Sequence, residues 1–103
     1  MGQARPLRLR YTLPALADLA TILDYVADRS PQGASRIHMR IQAVADLLLR
    51  YPLIGAPTDD PTIWRVTTTP YPYLIFYEVT DRDIIIHAVR HGARDPSDSP
   101  AST

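Results

Sequence analysis

"YLIFYEVTDRDIIIHAVRH", Tyr73 to His91, is the stretch that decides the fold. Two runs of branched and aromatic residues, 73–79 and 83–91, flank "TDRD", a connection of hairpin length. Alternation sets Tyr73, Ile75, Tyr77 and Val79 on one side of the first run and Leu74, Phe76 and Glu78 on the other. A strand apolar on both sides belongs inside a sheet, so its aromatics are expected in the core. The second run is too rich in isoleucine and valine for a helix. On a regular strand His87 and His91 share a face at a separation of about 13 Å. Zinc requires bonds of about 2 Å, so the two are not expected to hold one ion.

Moving toward the N-terminus, "IWRVTTT" (63–69) is a third β-rich run, divided from the next by "PYP". Before it, "YPLIGAPTDDPT" (51–62) holds three prolines, a glycine and two aspartates and reads as loop. The preceding segment has helical period. Ser30 is a suitable N-cap and Pro31 a suitable first residue for a helix that buries Ala34, Ile37, Ile41, Val44 and Leu48 and exposes Arg36 and Arg40. It should stop near Arg50, because Pro52 disfavours helical angles at Tyr51. An earlier helix, about Pro14 to Asp28, presents Leu16, Leu19, Ala20, Leu23, Val26 and Ala27 as its apolar stripe. "RPLRLRYT" alternates Leu7, Leu9 and Tyr11 against Arg8 and Arg10, a half-buried strand with a solvated arginine face. The expected fold is α+β, in the order β-α-α-β-β-β. A helical hairpin packs on one face of a small curved, mainly antiparallel sheet.

Beyond the last strand, Gly92 lies between Arg90 and Arg94 and is expected to turn the chain through angles closed to other residues. Residues 1–96 form a single expected domain, and the Pro/Ser-rich 97–103 a fraying tail.

Of 103 residues, 46% are hydrophobic, which marks a globular chain with one core. There is no cysteine, so neither a disulfide nor a cysteine-ligated metal is possible. No apolar run has the length of a membrane span, and no signal-peptide pattern opens the sequence, so a cytoplasmic protein is expected. The formal net charge is +0, which argues against direct DNA binding by nonspecific phosphate attraction. All 11 basic residues are arginines, so no lysine is available as base or phosphate clamp.

Five pieces in order carry a resemblance over nearly the whole chain: "ALADLATILDYVADRSPQGA", "YPLIGAP", "WRV", "YLIFYEV" and "VRHGARD". Together they resemble the RelE/ParE superfamily of bacterial type II toxins, and most closely its ParE-like branch. The resemblance implies a toxin neutralised by a cognate antitoxin whose C-terminal segment docks in a groove. RelE-like members are ribosome-dependent mRNA endoribonucleases; ParE-like members inhibit DNA gyrase by binding it. Scission by 2′-hydroxyl attack needs a base, cations on the phosphate and an acid for the leaving oxygen. Arg65 stands where a nuclease of this superfamily carries an arginine. Leu74, however, stands where another is common, lysine is absent, and no late tyrosine follows Arg94.

A nuclease reading would therefore use His91 with Arg65 and Arg94, His91 being able to titrate near neutral pH. A binding reading assigns Trp64, Arg65, Arg90, His91 and Arg94 to a partner surface, since arginine pairs carboxylates bidentately. Trp64 reads equally as core, His91 as the end of a strand, and Arg94–Asp95 as a local ion pair. No cofactor or metal is expected. Gyrase inhibition is the leading expectation and ribosome-dependent cleavage the alternative.

Overall fold

The computed structural model describes residues 6–92. Strand β1 (Arg8–Tyr11) leads into helix α1 (Leu13–Ala27) and helix α2 (Pro31–Arg50). Strands β2 (Ala56–Pro57), β3 (Trp64–Thr68), β4 (Tyr71–Val79) and β5 (Asp83–His91) follow. The sheet order is β1-β5-β4-β3-β2. β1 runs parallel to β5, and the other pairings are antiparallel. The expected architecture is thus observed, with β2 as an addition inside the segment read as loop.

Both helices are capped by hydroxyls. Thr12 Oγ1 accepts from the Ala15 N–H at 3.1 Å and Ser30 Oγ from the Gly33 N–H at 2.9 Å, each satisfying a donor that has no partner within its helix. α2 buries Ala34, Ile37, Ile41, Val44 and Leu48 as the stripe requires, with Ala45 added. α1 departs from expectation. Leu16 is 47% exposed and Ala20 is exposed, while Ala15 is fully buried, with Leu19, Ile22, Leu23 and Val26 packed against the core. α1 is apolar nearly all round, so periodicity alone did not fix its inner face. The small Ala15 permits close approach where a leucine would not.

The core lies between the helical hairpin and one sheet face, centred on Ile41, Leu48, Ile75, Tyr77, Ile84 and Ile86, each at most 1% exposed. β4 is central, as its two-sided apolar pattern requires. It begins earlier than expected, and Pro72 lies within it. There the β3–β4 register skips from Thr67↔Leu74 to Thr68↔Tyr71, an irregularity that accommodates a residue with no N–H. The Thr69–Pro70 peptide that joins the two strands is cis. Arg40 Nε, from α2, donates to the Thr69 carbonyl at 2.9 Å and ties the hairpin to this turn.

Two expectations at the end of β5 are corrected. Phe76 pairs with Ala88 but Tyr77 pairs with Ile86, so His87 is the extra residue of a β-bulge. The bulge reverses the alternation beyond it. His87 therefore lies on the face away from the helices and His91 on the helix face, rather than sharing one face. Gly92 does not take a positive φ. Its constraint is space, because a Cβ there would sit 3.2 Å from Leu74 Cγ. Its N–H donates to the Pro72 carbonyl at 2.7 Å.

Candidate partner-binding surface

The sheet face away from the helices is assembled by strand alternation. Arg65 and Thr67 of β3 lie beside Phe76 and Leu74 of β4, which lie beside Ala88 and Arg90 of β5. Toward β1 the same face carries Glu78, His87, Asp83, Arg8 and Arg10. Its charges are mostly matched locally. His87 Nε2 meets Glu78 Oε1 at 2.8 Å, and Asp83 receives Arg8 Nε at 3.5 Å and Arg10 Nη1 at 3.7 Å. Asp83 Oδ1 is buried with no hydrogen-bond partner, so the arginines are its compensation.

Arg90 leans to the β5 edge, where Asp18 of α1 takes two groups at once: Arg90 Nε at 3.7 Å and the Val89 N–H at 3.1 Å. β1 stops pairing at Ile86, so Asp18 supplies the acceptor that a longer β1 would have provided.

Arg65 differs from these. It is exposed, and among the described residues it has no carboxylate partner. It borders two adjoining cavities, of about 330 and 380 Å3. The first runs over Ile54, Gly55, Ala56 and Leu74, the second over Thr69, Tyr71, Pro72 and Gly92; Arg65, Thr67 and Leu74 border both. The rim is held by Tyr77 from the core below. Its hydroxyl donates to the Pro52 carbonyl at 2.7 Å and accepts from the Gly55 N–H at 3.1 Å. Burial pushes the Tyr77 hydroxyl pKa up, opposed by the Gly55 hydrogen bond. Gly55 is obligatory for closeness: a Cβ there would lie 2.7 Å from Tyr77 Oη and collide with the Arg65 carbonyl.

The remaining candidates lie elsewhere. Trp64 is half-buried and packs on the core, on the helix side of the sheet. His91 meets the Tyr73 ring edge-on at 5.5 Å between centroids, in a cleft of about 240 Å3 also lined by Thr21, Ile22 and Tyr25. Arg94 lies outside the described residues. Arg65 and Arg90 therefore share one face across β4, while Trp64 and His91 sit on the other. Among the described residues no three His, Asp or Glu side chains group closely enough to hold a metal, and no helix is long and apolar enough to cross a membrane. Reading the sequence did not find the groove beside Arg65. Its only sequence signal was Gly55 within "PLIGAP", a glycine that a plain loop would not require.

The sequence profile of the family described as ParE toxin of type II toxin-antitoxin system, parDE, matches residues 9–96, and the chain belongs to this family. It is a type II toxin of the RelE/ParE superfamily, and membership implies a cognate antitoxin as partner. The chain is 39% identical over 84 residues to Toxin RelE2 of Caulobacter vibrioides, covering 82% of this chain and 93% of that one. It is 34% identical over 84 residues to Putative toxin Y4kP of Sinorhizobium fredii, covering 82% and 86%. The fold matches a structure of the chromosomal ParDE TA system from P. aeruginosa with a TM-score of 0.72, at 22% identity, over 84% of this chain and 96% of that one.

Proposed function

We propose that this toxin inhibits DNA gyrase by binding it, without covalent chemistry of its own, and that an antitoxin segment docked on the sheet neutralises it. The supporting observation is the separation of the two nuclease candidates among the described residues: Arg65 is on the outer sheet face and His91 in the cleft under α1. A base and a phosphate clamp must meet within hydrogen-bond reach of one phosphodiester, and here a sheet stands between them. Leu74, on Arg65's own face, adds no cation. Purified toxin is expected to block supercoiling by gyrase at stoichiometric ratios; undiminished supercoiling at excess toxin would refute the proposal.

One observation favours the ribosome-dependent reading, namely the name RelE2 borne by a relative. On that reading programmed ribosomes mixed with the toxin yield cleaved mRNA, and His91→Ala or Arg65→Ala abolishes it. Intact mRNA with wild-type toxin removes this alternative.

A further inference from the structure

The geometry points to the groove around Arg65 as a subsite for one carboxylate of an antitoxin segment, a carboxylate flanked by apolar side chains. This rests on the docking of an antitoxin on the sheet, and it specifies what the docked segment must carry.

Three features of the groove define the occupant. Its floor and walls are largely apolar, from Ile54, Ala56, Pro72 and Leu74. Hydroxyls stand on one side, where Thr67 Oγ1 and Thr69 Oγ1 lie 3.2 Å apart. Arg65 is the one charged residue among the described residues that border either cavity. The other sheet arginines are engaged, Arg8 and Arg10 by Asp83 and Arg90 by Asp18. A guanidinium among apolar walls, with no carboxylate partner among the described residues, calls for a complementary anion, and its planar fork fits a carboxylate through two parallel hydrogen bonds. Apolar neighbours on the ligand would fill the cavities on either side of that contact and exclude water from it, which strengthens the pair.

A nucleic acid is the poorer match. Its backbone presents a charge at every nucleotide and is held by several cations along a track. Here, among the described residues, one cation without a carboxylate partner borders the groove, and the chain's formal net charge is +0.

The test uses the toxin and its purified cognate antitoxin. Dissociation constants are measured for wild type, Arg65→Ala and Arg65→Lys, against antitoxin variants in which each aspartate and glutamate is replaced in turn by alanine. Thermal unfolding of each toxin variant establishes that it is folded. Arg65→Ala is expected to weaken binding about 30-fold or more, with Arg65→Lys intermediate. One antitoxin acidic residue should show a matching loss that adds nothing further in the double variant.

Tight binding that Arg65→Ala changes less than about threefold, or a loss coupled to no acidic residue, overturns the carboxylate subsite and leaves gyrase inhibition standing. Arg65-dependent binding of a single-stranded RNA oligonucleotide, with antitoxin affinity unchanged, overturns it in favour of nucleic acid. Loss of supercoiling inhibition in the wild type would instead refute the gyrase reading, without touching the binding measurement.

Discussion

Tyr77 shows how much can depend on one hydroxyl. Its ring is fully buried in the core, and its oxygen holds both Pro52 and Gly55 of the loop that follows α2. Tyr77→Phe removes an acceptor and a donor at once, and the Gly55 N–H loses its partner. A loss of about 1–3 kcal/mol is expected, read from the urea midpoint. The pH dependence has a definite sign. The folded pKa lies above the ordinary 10.0, so this contribution is complete below about pH 10 and declines as pH rises through the folded value. In a base titration of stability the Phe variant should show a shallower fall than wild type above pH 10. Gly55→Ala should be worse than the Phe variant, because its Cβ meets both the Tyr77 hydroxyl and the immovable Arg65 carbonyl. None of this was legible in the sequence. Tyr77 read correctly as core, but a hydroxyl that serves a loop 22–25 residues away leaves no periodic trace.

Among the elements, α2, β4 and the extent of α1 were legible, and the inner face of α1, β2 and the end of β5 were not, for different reasons. α2 alternates apolar stripe and polar face cleanly, and its cap is a serine followed by proline, so both boundary and buried face follow. Ser30→Ala should cost about 1 kcal/mol in thermal or urea unfolding. α1 carries leucines on both sides: Leu13 is 80% exposed while Leu19 packs inward. A stripe can be read only where something polar bounds it. β2 has two residues and is defined by its partner β3, not by its own composition. The bulge at His87 belongs to the pairing of two strands, so alternation read along β5 alone put His87 and His91 on one face when they lie on opposite faces. Where β1 ends, Asp18 replaces a strand with one carboxylate, receiving the Val89 N–H and Arg90. Asp18→Ala should lower stability by about 1–2 kcal/mol and speed amide exchange at Val89, while Asp18→Asn retains the acceptor and most of the protection.

For the whole molecule, the relation between β1 and β5 reaches beyond architecture. The two strands pair in parallel, Arg8 against Asp83, a separation of 83 − 8 = 75 residues. β5 also supplies Ile84, Ile86 and Val89 to the core and a bed for α1. Every layer thus waits for the strand that is made last among those described. Loop closure across such a span is costly until the contacts that reward it exist. A growing chain that lacks β5 should therefore have no protease-resistant core, whereas the same chain extended to emerge past residue 96 should acquire one. Limited proteolysis of stalled nascent chains of graded length measures this directly. For a toxin the timing matters: a polypeptide whose β5 has not yet emerged is expected to be inert, so an antitoxin already waiting can meet the toxin as it folds.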